Sequence, residues 1–197
     1  MLENKTAIKQ VVVILGSPRR KGNSATLAAR ISRGAESAGA EVETLFLHGL
    51  KISPCRGCDT CQKQDSKACA IKDDMQEIYP KLIKADAWVI ASPVYWFTMS
   101  AQTKMFMDRC YALPAYTHHK KNPFAGKRIA IAMSYGDVDP VRSGCVNALR
   151  AFQDAYRYAG SKIVGMVYGS AMKAGDIANN KALMQEAEEL GKRLVSR

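Results

Sequence analysis

Apolar residues follow two alternating patterns along the chain: short continuous runs and longer stripes at helical spacing. The continuous runs are rich in β-branched residues and predict five buried strands, at residues 11–15, 42–47, 88–91, 129–133 and 163–167. The stripes predict helices at residues 27–38, 75–83, 145–159 and 183–194. Gly39 closes the first helix, Asp73 or Asp74 is placed to cap the second, and Pro93 is expected to stop the third strand.

Strands that alternate with helices in this way predict a parallel sheet with helices on both faces. Connections between parallel strands of one sheet are right-handed, which leaves few possible topologies. For a chain of 197 residues, this favours an α/β fold with a flavodoxin-like, doubly wound, five-stranded sheet of strand order 2-1-3-4-5. The length corresponds to one domain over residues 1–197. Two long loops interrupt the alternation, at residues 54–72 and 112–127, and long loops in compact domains are usually functional or mobile.

The composition narrows the class of protein. Hydrophobic residues make up 47% of the chain and charged residues 24%, which is typical of a globular protein and argues against a disordered one. No apolar run approaches the roughly 20 residues that a membrane-spanning helix needs. Residues 1–10 lack the apolar core of a secretory signal, so we expect no membrane association and a cytoplasmic location. In such a reducing compartment, clustered cysteines indicate metal or redox sites before disulfides.

The formal net charge of +11 favours anionic partners: phosphate groups, nucleic acid or acidic proteins. Lysines and arginines are spread over the whole chain rather than clustered on one helix, which disfavours a nucleic-acid partner. His118 and His119 have no third ligand nearby and indicate a solvated loop. Met99, Met105 and Met107 are expected to fill the core rather than bind a metal.

Ligands of doubly wound sheets bind beyond the carboxyl ends of the strands, which singles out residues 16–24, 92–97 and 134–137. In the first stretch, hydroxyl groups, a side-chain amide, cations and a helix N-terminus converge, and this combination favours a phosphate. The glycine spacing matches neither a Walker loop nor a dinucleotide-binding loop. The alternative is an ordinary helix start in which Asn23 or Ser24 is the N-cap.

The second stretch places Tyr95, Trp96 and Phe97 in a row after a buried strand. One face of a strand or helix cannot bury three consecutive side chains. We therefore expect at least one aromatic ring to be available for a planar ligand or a partner. The alternative is a loop whose rings cover the core from different sides.

Four cysteines have the most specific spacing in the chain, Cys55-x2-Cys58-x2-Cys61-x7-Cys69. Four thiolates this close in sequence can enclose an iron–sulfur cluster or a tetrahedral zinc ion. The alternatives are reduced structural thiols and a disulfide. Nearby cations would offset the thiolate charge: Lys51, Arg56, Lys63 and Lys67. Cys110 and Cys145 lie on helical stripes and are expected to be small core residues.

These motifs, in this order, resemble the NAD(P)H-dependent FMN reductase family of the flavodoxin-like fold, and within it the iron–sulfur flavoprotein branch. The resemblance covers residues 11–195. It lies in Gly-Ser-Pro-Arg at residues 16–19 with Gly-Asn-Ser at 22–24, in Ser-Pro-Val-Tyr-Trp at 92–96, and in the cysteine segment followed by Asp-Asp-Met at 73–75. Related flavodoxins that act purely as electron carriers are acidic, and the charge of +11 departs from them.

The resemblance implies a set of cofactor contacts in each loop. The FMN phosphate would be bound by Ser17, Arg19, Gly22, Asn23 and Ser24, with backbone N–H groups assisting. The flavin ring would lie against Pro93, Val94, Tyr95 and Trp96, and the fourth strand would contribute Tyr135, Gly136 and Asp137. A [4Fe–4S] cluster would be ligated by Cys55, Cys58, Cys61 and Cys69. Because the flavin supplies the reactive atoms, we expect no catalytic side chain.

We therefore expect an FMN-dependent oxidoreductase that takes hydride from NAD(P)H and reduces a small acceptor: a quinone, a nitroaromatic, a metal ion or free flavin. The alternative is an electron-transfer iron–sulfur flavoprotein reduced by a protein such as ferredoxin, for which the positive charge is suitable. A third reading is a binding protein of the same fold without a redox role. By analogy with the family, a homodimer or homotetramer would cover the open flavin edge.

Overall fold

The computed structural model of the protein describes residues 9–196. Most of the segment expected to lack a secretory signal, residues 1–10, lies outside the described residues, as does Arg197. The strands are β1 (Gln10–Leu15), β2 (Glu41–Phe46), β3 (Ala87–Tyr95), β4 (Thr98–Met99), β5 (Arg128–Tyr135) and β6 (Lys162–Ser170). The helices are α1 (Asn23–Ser37), α2 (Met75–Lys84), α3 (Ala101–Arg109), α4 (Cys145–Tyr158) and α5 (Lys181–Val195). Within residues 9–196, no helix has both the length and the apolar character needed to cross a membrane.

Five of the strands form a parallel sheet in the order β2-β1-β3-β5-β6. The short β4 pairs antiparallel with the end of β3 and lies off this path. When β4 is left aside, the order is the predicted 2-1-3-4-5, so the doubly wound fold is confirmed. The strands are continuous apolar runs because helices cover the sheet on both faces.

Alternate residues of each strand enter two separate cores. On one face, Val12, Ile14 and Trp88 pack with α2, α4 and the 3₁₀ segment Cys110–Thr117. On the other face, Val11 and Val13 pack with α1 and α5. This two-sided burial is the reason that the carboxyl ends of the strands, together with their loops, remain the open edge of the fold.

The structure corrects three boundaries. β3 continues through Pro93 to Tyr95. Its neighbour β1 pairs only as far as Ala91, so the missing N–H of Pro93 costs no bond to that strand. Leu47, expected at the end of the second strand, begins a 3₁₀ turn. α1 follows Gly22, and neither Asn23 nor Ser24 caps it.

The predicted loop at residues 112–127 is partly a 3₁₀ helix, and the helix α3 before it was not expected. At the start of α2, the residue that precedes the helix is Asp74, but the carboxylate that accepts a hydrogen bond from the Met75 N–H (3.1 Å) belongs to Asp73. The capping role therefore falls to the first of the two predicted aspartates.

Candidate functional site

A cavity of about 180 Å³ opens at the carboxyl edge of the sheet, between the loops that follow β1 and β6 and the ends of β3 and β5. Ten of the twelve predicted cofactor contacts line it, namely Ser17, Arg19, Gly22, Asn23, Ser24, Pro93, Val94, Tyr95, Tyr135 and Gly136. Trp96 and Asp137 do not line this cavity. Thus the three predicted stretches, which are far apart in sequence, meet at one site. This agrees with the edge rule, that ligands of doubly wound sheets bind at the carboxyl ends of the strands.

The loop after β1 leaves a helix N-terminus open to this cavity. The Arg19 N–H donates to Ser17 Oγ (3.0 Å), and the Gly22 N–H donates to the Arg19 carbonyl (2.9 Å). A Cβ atom at Gly22 would lie 3.1 Å from that carbonyl oxygen, so the tight turn favours glycine. Among the described residues, no side chain caps α1, and its first turn carries no acidic residue. The first N–H groups of α1 and its positive dipole end therefore suit an anion.

The side chain of Asn23 has a different set of partners from the one its sequence position implies. Its amide nitrogen donates to the carbonyls of Ala171 (3.2 Å) and Lys173 (2.9 Å). Its oxygen accepts from the N–H groups of Gly175 (2.8 Å) and Ile177 (3.4 Å). Asn23 therefore joins the loop after β1 to the loop after β6.

The three consecutive aromatics lie at the hairpin between β3 and β4. Trp96 and Phe97 form its two-residue turn, and both have positive φ, 47° and 65°. Turns of this kind normally use asparagine and glycine, so two bulky rings there store backbone strain. Trp96 is 92% exposed, and Tyr95 and Phe97 are also exposed. The expectation of an available ring is confirmed.

A buried hydroxyl network fixes this hairpin to β1. The Ser100 N–H donates to Ser92 Oγ (2.9 Å), while Ser100 Oγ donates to the Gly16 carbonyl (2.7 Å). Gly144, whose φ is 78°, packs against the backbone of Phe97. A Cβ atom added at Gly144 would lie only 2.4 Å from the Phe97 carbonyl oxygen. The wall formed by residues 93–95 is thus held in place from two sides.

The end of β5 and the loop after β6 form another part of the lining. The Ala171 N–H donates to the Tyr135 carbonyl (2.9 Å), and the Ser170 hydroxyl donates to the Asp137 carbonyl. Burial raises the pKa of Tyr135, so its hydroxyl stays protonated. Sequence reasoning missed three residues that line the cavity, Ala171, Met172 and Ala174. They follow the carboxyl end of β6, and the same edge rule applied to that strand would have included them.

All four clustered cysteines line a second, smaller cavity, together with Arg56, Asp59 and Arg109. Cys61 and Cys69 are buried, whereas Cys55 and Cys58 are exposed. The cavity has a volume of about 20 Å³, and within residues 9–196 no three cysteine, histidine or acidic side chains are close enough together to hold a metal ion. The donor set matches a thiolate-ligated metal centre in chemistry, and the exposed pair would have to move inward to ligate one.

The buried half of this cysteine loop is anchored from α3 and the segment after it. The Arg109 guanidinium, 1% exposed, donates to the Cys69 thiol (3.7 Å) and to the Ser53 carbonyl (2.8 Å). Its charge is balanced by Asp73, at 2.5 Å and 3.0 Å. The Cys69 N–H donates to Tyr116 Oη (3.2 Å). Cys69 is therefore fixed in position before any metal binds.

The thiols differ in their electrostatics. Burial raises the pKa of Cys61, whereas hydrogen bonding from Thr60 lowers the pKa of the fully exposed Cys58. Cys110 and Cys145 are buried core residues, as expected, and burial raises the pKa of both. Cys58 is thus the thiol of the loop that ionises more readily than usual.

The other residues singled out in the sequence lie outside both cavities. His118 and His119 follow the 3₁₀ segment in an exposed to half-buried turn. Met99 is buried, and Met105 and Met107 pack against the core, as expected.

A doubly wound parallel sheet with a cavity across the loops of β1, β3 and β5 defines a protein of the flavodoxin-like fold. Solved structures agree. An NAD(P)H:quinone oxidoreductase from Methanothermobacter marburgensis superposes with a TM-score of 0.75 at 20% identity, covering 97% of this chain and 98% of that one. The Trp repressor binding protein from Bacillus subtilis superposes with a TM-score of 0.67 at 22% identity, covering 92% of this chain and 99% of that one. At these identities, the likeness shows the fold alone.

Sequence comparison defines the family. Residues 10–176 match the model of the NADPH-dependent FMN reductase family, and the chain belongs to that family of oxidoreductases. An iron–sulfur flavoprotein from Archaeoglobus fulgidus is 31% identical over 94% of this chain and 79% of its own length. A second one from that organism is 43% identical over 61% of this chain and only 60% of its own length. A putative NAD(P)H-dependent FMN-containing oxidoreductase from B. subtilis is 25% identical over 93% of this chain and 97% of its own length.

Proposed function

We propose that this chain binds FMN in the cavity at the carboxyl edge of its sheet, accepts hydride from NAD(P)H and reduces a small acceptor. The observation that carries the proposal is the meeting of residues 17–24, 93–95 and 134–136 around one cavity. The open N-terminus of α1 suits the phosphate, and the wall at Pro93, Val94 and Tyr95 suits a planar ring. Membership of the NADPH-dependent FMN reductase family supports both FMN and a nicotinamide reductant.

In this proposal the protein binds and orients, and the cofactor does the chemistry. When bound, FMN supplies hydride acceptance and electron transfer, and no acid or base of the chain is needed for that step. Arg19 and the first N–H groups of α1 neutralise the phosphate. Trp96, at the tip of the hairpin, is accessible from solvent and offers a stacking surface to a nicotinamide or a planar acceptor at the mouth of the cavity. The acceptor classes that fit are those expected above: quinones, nitroaromatics, metal ions and free flavin.

Anaerobic reduction by nicotinamide tests this proposal. Purified protein reconstituted with FMN should lose its flavin colour when NADPH or NADH is added without oxygen. A flavin that stays oxidised with both nucleotides but is reduced by ferredoxin would contradict the reductase proposal and support the electron-transfer alternative. A protein that remains colourless after incubation with FMN would contradict both.

The electron-transfer alternative is favoured by one observation, the gathering of four thiols around one cavity. We propose that Cys55, Cys58, Cys61 and Cys69 ligate a [4Fe–4S] cluster, which would supply one-electron transfer. Relatives named iron–sulfur flavoprotein support this assignment. Arg109, buried beside Cys69, would hold that ligand in place through its hydrogen bond to the sulfur.

Iron analysis of paired cysteine variants tests the cluster. Protein prepared without oxygen should contain about four iron atoms per chain. Cys58→Ala should lose that iron and retain FMN, because Cys58 lies outside the flavin cavity. Cys145→Ala is the matched control, since Cys145 is buried in α4 away from the cysteine cavity and should keep the iron. Iron-free wild-type protein from an anaerobic, iron-supplemented preparation would remove the cluster and leave an FMN reductase.

We also propose a homodimer or homotetramer that covers the open flavin edge. Exposed apolar side chains follow β3, β5 and β6 close to the cavity residues, and these are Trp96, Phe97, Val138, Val141 and Met172. Such a concentration favours a protein contact over solvent. The six free cysteines support a reducing, cytoplasmic location, and the scattered cations support a small-molecule or acidic-protein partner over nucleic acid. Sedimentation of the FMN-loaded protein measures the oligomeric state.

A further inference from the structure

We infer that Asn23 is a positioning residue: it holds the loop at residues 171–177 as the wall of the flavin-ring pocket and does not bind the phosphate. This inference rests on the proposed FMN site and changes the role that the sequence motif assigns to one of its residues. It concerns the ring end of the cavity, because Ala171, Met172 and Ala174 line the cavity and the Ala171 N–H is bonded to Tyr135, one of the residues proposed to face the flavin ring.

The hydrogen-bonding capacity of the Asn23 side chain is fully used. An asparagine amide has two donor hydrogens and an oxygen with two lone pairs. Both hydrogens are taken by the carbonyls of Ala171 and Lys173, and the oxygen accepts from Gly175 and Ile177. No donor remains for a phosphate oxygen. To contact a phosphate, the Asn23 amide would have to break its hydrogen bond to Ala171 or Lys173, about 150 positions away in the sequence.

The loop depends on this one side chain. At its start, the Ala171 N–H is bonded to the Tyr135 carbonyl, and at its end Ile177 is buried in the core. Between these points, the remaining described bonds are local to a turn in which Lys173 and Asp176 pair through their own backbone and side chain. Met172 is 76% exposed and adds little packing. Without Asn23, the segment 172–175 would be held only at its ends.

The position of Asn23 predicts which part of the flavin its loss would affect. Its backbone belongs to the first turn of α1, which faces the phosphate, while its side chain reaches the ring wall. Arg19, in the same loop, has no side-chain bond to residues 171–177 among the contacts described. Two neighbouring residues of one motif are therefore expected to act on different parts of the flavin.

The test compares FMN with riboflavin, which has the same ring but no phosphate. Dissociation constants are measured with the apoprotein by the quenching of flavin fluorescence. Asn23→Ala should weaken both flavins by a similar factor, about 10-fold, the effect expected from losing well-formed hydrogen bonds. Arg19→Ala should weaken FMN by about 10-fold or more and leave riboflavin unchanged, because only the phosphate interacts with that cation.

Asn122→Ala is the matched control for losing an asparagine. Asn122 also bonds backbone groups through both ends of its amide, to Ala159 and Phe124, but it precedes β5 at the opposite edge of the sheet. It should leave both flavin affinities unchanged. Amide hydrogen exchange of the apoprotein gives a second measurement: exchange at residues 171–177 should be faster in Asn23→Ala and unchanged in Arg19→Ala.

The outcomes separate the inference from the proposed function. If Asn23→Ala weakens FMN but not riboflavin, or changes neither, the positioning role is overturned. If wild-type protein binds neither flavin, the proposed function fails, and hydrogen exchange still reports whether Asn23 holds the loop. Should Asn23→Ala fail to fold, Asn23→Asp keeps the two acceptor contacts and loses the two donors. Asn23→Asp should then bind riboflavin more weakly than wild type, and wild-type riboflavin affinity would contradict the inference.

Discussion

The buried ion pair beneath the cysteine loop gives a sharp test of how this region is held together. The perturbation is Asp73→Asn, which keeps the shape of the side chain and removes its charge. Asp73 accepts four hydrogen bonds: two from Arg109, at 2.5 Å and 3.0 Å, one from the Ser53 N–H at 2.8 Å and one from the Met75 N–H at 3.1 Å. The two side chains are 6% and 1% exposed. The substitution leaves the Arg109 guanidinium buried without a counter-charge.

Removing one partner of a buried pair costs about 3–5 kcal/mol. Asparagine can still accept some of the four bonds, so we expect a loss near the lower end, about 3 kcal/mol of unfolding free energy. For a domain of this size, that corresponds to a fall of about 6–12 °C in Tm. The double variant Asp73→Asn/Arg109→Met should lose less than the sum of the two single variants, because no charge is then left unpaired.

The assay is chemical denaturation followed by circular dichroism, with thermal melting as a second measurement. Asp74→Asn is the matched control: the same substitution at the next residue, where the carboxylate accepts one bond, from the Lys51 N–H at 2.7 Å. It should cost about 1 kcal/mol or less. Equal losses for Asp73→Asn and Asp74→Asn, or additive losses in the double variant, would refute the reasoning from the buried pair.

Three further predictions concern pH and strain. Burial alone would raise the pKa of Asp73, but the hydrogen bonds and charge of Arg109 lower it, so its stabilisation is present above about pH 4 and is lost below that; the acid-unfolding transition of Asp73→Asn should be correspondingly flatter. Burial lowers the pKa of Lys127 from 10.5 to about 8, so the unfolded chain binds the extra proton between these values. Unfolding free energy should therefore gain a contribution that rises from pH 8 to pH 10.5 in wild type and is missing in Lys127→Met. Trp96→Asn should raise unfolding free energy by about 0.5–1 kcal/mol, because asparagine tolerates positive φ and the exposed ring has little burial to lose; a less stable variant would contradict the strain at this turn.

The strands were predictable because one physical cause dominates each of them. A run such as residues 11–15 is apolar at every position, since both faces of the sheet are covered, and the structure has β1 at Gln10–Leu15. α3 was missed for the opposite reason. Its buried residues are Thr103, Phe106 and Arg109, and a hydrophobic pattern counts two of these as polar. Arg109 is buried only because Asp73, 36 positions away, neutralises it.

The sequence predicts where the candidate site lies in the fold, but it does not predict the hydrogen bonds within the site. The edge rule brought together residues 17–24, 93–95 and 135–136 from topology alone. The same rule could not show that the Asn23 amide faces residues 171–177, because that contact depends on the path of a loop almost at the other end of the chain. The hydrophobic pattern also could not show that Trp96, expected against the ring, lies in a turn with positive φ and outside the lining of the cavity.

The flavin cavity and the cysteine cavity differ in how firmly their walls are held before a ligand binds. The walls of the flavin cavity are fixed by the side chains of Ser100 and Asn23, which bond to backbone groups, and by the backbone bond between Ala171 and Tyr135. FMN should therefore bind without large rearrangement and with little ordering cost. In the cysteine loop, the half that carries Cys69 is fixed by Arg109 and Tyr116, while Cys55 and Cys58 are exposed. Any metal centre there must supply the free energy that orders the second half. Loss of metal should therefore increase hydrogen exchange at residues 54–59 and leave the flavin cavity protected, and equal effects on both would mean that the two sites are one cooperative unit.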